Sequence, residues 1–137
     1  MPSRFFLALY ALFFAALHLT ANLTGWYYLY PWLDIPMHIG GGIWVAWACL
    51  AYRDCILGYM ALSRWIQGIG VVCAVALVGV VWELLEGLAD ASQLYRHGLS
   101  VWAIPDALGS TQVGIYWDTL FDLHNDLLGA VMVVGIW

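Results

Sequence analysis

The stretch Trp117-Asp118-Thr119-Leu120-Phe121-Asp122-Leu123-His124-Asn125-Asp126-Leu127-Leu128-Gly129-Ala130, running on through Val131–Trp137, carries acids at i, i+4 and i+8 in an otherwise apolar segment. That spacing puts Asp118, Asp122 and Asp126 on one face of a helix, with Asn125 and Gly129 beside them. About 20 mostly apolar residues suffice to cross a bilayer. The segment therefore reads as a membrane span with an acidic stripe. Composition agrees: apolar residues make up 64% and charged residues 9% of 137 positions, against roughly 45–50% and 25% in soluble proteins. A chain this small cannot hide so much apolar surface from water. Four Arg, no Lys and a formal charge of −5 also exclude nucleic acid as a partner.

Three further spans lie upstream, at about 5–24, 35–52 and 65–88, with the last at 117–137. The fold expected is all-α: one polytopic domain over residues 1–137, a four-transmembrane-helix bundle with one long outer loop at 89–116. A cleaved signal peptide is the rival reading of the first stretch, but no clear A-x-A site follows it. Trp26, Tyr27, Tyr28, Tyr30, Trp32, Tyr116 and Trp117 read as interfacial aromatics. Cys49, Cys55 and Cys73 form no CxxC pair and read as small buried hydrophobes rather than a disulfide or zinc framework. Arg4, Arg53 and Arg64 mark the cytoplasmic ends by the positive-inside rule, which places both termini inside.

Acids converge at the outer level of this arrangement. Asp34 and His38 share a face at the start of span two, Glu83, Glu86 and Asp90 share one at the end of span three, and the Asp118 stripe opens span four. His18 and Asn22 end span one at the same level. Each carboxylate held in a bilayer costs roughly 2.5–3.5 kcal/mol, so four cost about 10 kcal/mol, comparable with a domain's whole stability. No Arg or Lys lies within a span core to neutralise them. They are protonated, they line a wet cavity, or they bind a cation. For Asp34 and Asp118 helix capping is an equally good reading; Asp122 and Asp126 lie too deep to cap. Gly41, Gly42, Gly79 and Gly129 fall on the same faces and allow close helix approach.

The runs Leu33-Asp34-Ile35-Pro36-Met37-His38, Trp82-Glu83-Leu84-Leu85-Glu86 and Trp117-Asp118-Thr119-Leu120-Phe121-Asp122 with Asp126-Leu127-Leu128-Gly129-Ala130 resemble the YjdF-like family of bacterial inner-membrane proteins. VanZ-like membrane proteins are more distantly similar. YjdF-like proteins are usually longer, and Ser110-Thr111-Gln112-Val113-Gly114-Ile115 lacks the acid of the family's Thr-Gln-Gly-Asp run. The resemblance implies a multi-pass inner-membrane location and an acidic site rather than any activity.

Three functions remain open. The first is a metal site with Glu83, Glu86, Asp118, Asp122 and His38 as ligands and Asp34 and Asp126 as supporting or alternate ones. Its oxygen donors and single imidazole suit Mg, Mn, Fe or Zn, and a catalytic version would activate water against a lipid-linked or phosphorylated substrate. The catalytic residues themselves are not identified. The second is an accessory or assembly subunit among membrane lipids and other membrane subunits, for which nine Trp and eight Tyr supply contacts. The third is a proton or cation pathway in a homo-oligomer. The topology yields the first prediction. In a cysteine-free background, an impermeant thiol reagent applied outside should label a cysteine at position 100 and miss one at position 63; the reverse pattern would invert the bundle.

Overall fold

The computed structural model describes residues 3–53, 62–96 and 112–137, apart from the side chains of Tyr28, 89–96 and 112–116. Asp54, Cys55, His97, Ser100 and Asp106, and the side chain of Asp90, therefore lie outside what is described. The described residues form α1 (Arg4–Thr24), a short α2 (Trp26–Leu29), a 3₁₀ turn (Pro31–Leu33), α3 (Asp34–Ala51), α4 (Arg64–Arg96) and α5 (Gln112–Ile136). Four stretches are long and apolar enough to cross a membrane: Arg4–Thr24, Pro31–Ala51, Arg64–Leu88 and Trp117–Ile136. The all-α, four-span architecture is as expected.

Local chemistry sets the boundaries. Ser3 caps α1, its hydroxyl accepting from the Phe6 amide at 3.2 Å. Gly25, at φ 71°, turns left-handed and donates its amide to Ala21 and Asn22, which ends α1. α3 begins within its acid: Asp34 has helical angles (φ −62°, ψ −42°), and Leu33, which precedes it, supplies no side-chain cap. Pro36 is tolerated because first-turn amides have no intrahelical acceptor.

The 89–116 stretch is less of a loop than expected. α4 is 33 residues long and continues to Arg96, and α5 starts at Gln112. At about 1.5 Å per residue α4 reaches roughly 50 Å, well beyond a hydrocarbon core of about 30 Å. Hydropathy marks where a helix leaves lipid, not where its backbone hydrogen bonds stop.

The four spans alternate in direction, as shown by what meets at each end. His38 at the start of α3 faces Glu83 late in α4 and Asp122 early in α5. At the opposite end Arg4 lies over the Tyr52 ring at 4.9 Å, and Arg53 and Arg64 lie over Trp137 at 5.6 and 5.9 Å. Between the ends Ala46, Leu50, Val71, Val75, Ala130 and Val133 form the buried apolar cluster. Large side chains such as Phe5 and Trp65 point outward, 78% and 85% exposed, as lipid-facing residues do. Cys49 is half-buried and Cys73 exposed, both as free thiols, so Cys73 faces outward rather than into the core.

α3 packs most closely on α5, and bare backbone at two glycines permits it. A Cβ on Gly42 would strike the Asp126 carbonyl oxygen, and one on Gly129 would strike the Ile39 carbonyl and stand 2.8 Å from the Ile43 amide nitrogen. Backbone cannot swing aside as a side-chain tip can. Gly42→Ala and Gly129→Ala are each expected to lower stability by about 1–3 kcal/mol. Gly70→Ala, with open space around it, should be neutral or stabilising by up to about 1 kcal/mol through helix propensity. Thermal unfolding in a fixed detergent compares the three.

Candidate metal centre

His38 is the hub. It is only 7% exposed, as are Asp122 and Asp126, so the most polar side chains sit inside while large apolar ones face out. The start of α3 supplies Asp34 and His38 one turn apart, α4 supplies Glu83 and Glu86, and α5 supplies Asp122 and Asp126, again one turn apart.

The two ring nitrogens have different surroundings. Nδ1 lies 3.3 Å from Asp126 Oδ1. In the tautomer protonated on Nδ1, that nitrogen donates to Asp126. Nε2 then faces three carboxylates: Asp34 Oδ1 at 3.6 Å, Asp122 Oδ1 at 3.7 Å and Glu83 Oε1 at 4.0 Å. At 3.6 Å or more, none of the three is a hydrogen bond. Ligand atoms around a divalent ion stand roughly 3.0–3.4 Å apart for bonds of about 2.1 Å; the contacts around Nε2, at 3.6–4.0 Å, are wider than that. Asp34, His38 and Asp122 form one group, and His38, Glu83 and Glu86 another, each with its candidate ligand atoms within 4.8 Å of one another. Glu83 Oε1, which faces Nε2, is buried with no hydrogen-bond partner. A buried carboxylate oxygen without a donor is costly, and a cation among these groups would satisfy it. The chemistry of the donor set thus fits a divalent metal.

Asp126 is pinned from behind. A Cβ on Gly79 would stand 2.5 Å from Asp126 Oδ2 and 3.0 Å from Leu123 Cδ2, while one on Gly41 would lie an ordinary 3.9 Å from Asp126 Oδ1. Gly79 therefore makes room on α4 for this carboxylate. A histidine held through Nδ1 by a carboxylate, with Nε2 directed into a ligand set, is the arrangement by which metal-binding histidines are oriented.

The remaining expected residues are placed differently. Asp118 is exposed and belongs to neither group. It does not cap either, because α5 starts at Gln112, more than a turn earlier. Asp34 likewise lies inside its helix rather than capping it, and it is an immediate neighbour of Nε2, with its side chain about one-third exposed (34%). His124 is exposed. Thr119, not singled out among the expected ligands, has its hydroxyl directed at Glu83; its place one turn before Leu123 on the inner face was the available signal.

His18 and Asn22 build a separate polar unit. His18 Nδ1 lies 2.8 Å from the Tyr27 hydroxyl and its Nε2 lies 3.0 Å from Asn22 Nδ2. Its ring meets Trp82 edge-on at 5.1 Å. Burial pushes the Tyr27 phenol up to about 12, and the Asp34 and Glu86 carboxylates push it the same way.

The family described as "Predicted membrane protein (DUF2238)" matches residues 2–137. The chain belongs to that family, which is the YjdF-like family its motifs resemble. The VanZ-like similarity stays a distant suggestion. No curated protein and no solved structure matches the chain.

The Tyr27 surroundings set a pH dependence. Because the folded value lies above the ordinary 10.0, this group's contribution is complete below pH 10 and lost as pH rises towards about 12. The thermal midpoint followed against pH should fall over that window, and Tyr27→Phe should remove this part of the fall.

Proposed function

We propose that the cluster is a divalent-cation site embedded in the outer half of a bacterial inner membrane, and that the cation acts on a lipid-linked substrate. The observation that carries this reading is the two-sided setting of His38: Nδ1 tied to Asp126, and Nε2 facing three carboxylates too distant to be its hydrogen-bond acceptors. His38, Asp34, Asp122 and Glu83 would hold the ion, with Glu86 joining from the second group. The imidazole favours Mn, Fe or Zn over Mg within the oxygen-rich set. Bound there, such an ion supplies Lewis acidity and an activated water. The chain's own residues orient the imidazole, exclude bulk water and, through Asp34, keep one partly exposed edge. The segregation of Arg4, Arg53 and Arg64 at the far end supports the outward placement.

Metal analysis of the purified protein tests this reading. Stoichiometric divalent metal is expected in the wild type and should be lost in Glu83→Gln and His38→Ala. Chelation should lower the thermal midpoint of the wild type but not of the variants, since binding and folding energies are linked. A metal-free wild type in which Glu83→Gln is tolerated would replace the cation with shared protons.

A further inference from the structure

A cavity of about 370 Å³ lies among α1, α3 and α4, beside the cluster. Its lining changes character with depth, in the same direction on all three helices. On α1 it passes from Ala11 and Phe14 to His18; on α3 from Val45 and Trp44 to His38 and Asp34; on α4 from Val75 and Val78 to Glu86. α3 runs opposite to the other two, so the three sequences reach their polar residues at one end of the bundle. From Val45 to Asp34 the slot extends about 16 Å, at about 1.5 Å per residue. Taking about 30 Å³ for each small group, 370 Å³ holds on the order of a dozen methylenes.

The polar end limits the head group. Among the described residues no Arg or Lys lines the cavity, while Asp34, Glu86 and Asp126 do. An anionic head therefore meets three carboxylates among the described lining residues. Tyr27 and His18 also line this end; both ring nitrogens of His18 are engaged, by Tyr27 and Asn22, and the Tyr27 hydroxyl keeps a hydrogen-bonding position for a neutral oxygen. α1 packs chiefly on α3, which leaves the α1–α4 side for lateral entry from the bilayer. The contact between His18 and Trp82 bridges that side at its polar end.

We infer that this slot receives the hydrocarbon chain of a single-chain aliphatic lipid with an uncharged oxygen head, a hydroxyl or carbonyl, and brings that head to the His38 cluster. The inference rests on the metal reading for the fate of the head group, but not for the slot itself. Ala11 and Val78 line its apolar part, and larger side chains there would fill the space for the hydrocarbon chain.

The test uses dodecanol with a diazirine at its far end, alongside the same chain bearing a phosphate, on the full-length protein in lipid nanodiscs. The alcohol is expected to crosslink to peptides containing Ala11–Ala15 and Val75–Gly79. Ala11→Phe and Val78→Phe should each reduce that labelling at least tenfold, with metal content unchanged. Leu12→Phe, at an outward-facing position (69% exposed), should leave labelling as in the wild type. Glu83→Gln, which does not line the slot, should lose metal yet keep the label, so the two readings fail separately. Labelling spread over outward faces, or undiminished in both filling variants, overturns the slot. Equal or stronger labelling by the phosphate overturns the head-group assignment. Should Ala11→Phe fail to fold, Val78→Phe alone decides.

Discussion

Everything at the acidic end depends on how one imidazole is held. His38 is fixed through Nδ1 by a carboxylate 88 residues away in sequence, and its other nitrogen meets acids from three helices. Without that anchor the ring could rotate, and the carboxylates around it would have repulsion but no common centre. Two glycines make the anchor possible. Gly42 brings α3 onto the backbone of Asp126, and Gly79 leaves α4 open at its carboxylate. Packing and chemistry are therefore one constraint: the close helix approach that lipid-embedded bundles favour also places Asp126 behind the histidine.

The bundle reverses the ordinary distribution of polarity without violating its physics. Outward-facing Phe, Leu and Trp meet hydrocarbon, and buried His38, Asp122 and Asp126 meet one another. Two devices keep the ends distinct. Arginines lie over aromatic rings at one end, while the acids gather around an imidazole at the other. A salt bridge between these sets would require charges to travel the length of the apolar cluster that separates them.

Much of this was legible in the sequence. Span positions follow from apolar run length. The convergence of His38, Glu83 and Asp122 follows from helical period, alternating direction and the lack of a cation in the span cores. The division of labour among the acids was not legible. An i, i+4, i+8 stripe treats Asp118, Asp122 and Asp126 alike, yet α5 begins early enough to leave Asp118 exposed and tucks Asp126 behind the ring. Which of three equivalent turns faces a neighbour depends on the crossing of α3 and α5, and that is set by backbone contact at Gly42 and Gly129. The continuation of α4 to Arg96 is hidden in the sequence for a related reason: polar residues outside lipid lower hydropathy without breaking a helix.

The dependence of the site on α5 has a consequence for biogenesis. During synthesis α3 and α4 enter the bilayer as a hairpin already carrying Asp34, His38, Glu83 and Glu86, while the carboxylate that orients His38 is still to be made. Until α5 docks, the hairpin holds its polar groups without the glycine-guided packing that organises them. The ring of Trp137, met by Arg53 and Arg64 from the far ends of that hairpin, completes the docking at the opposite pole. Assembly of the cluster is thereby coupled to arrival of the last helix, and a nascent chain stopped short of it lacks Asp122 and Asp126 around His38.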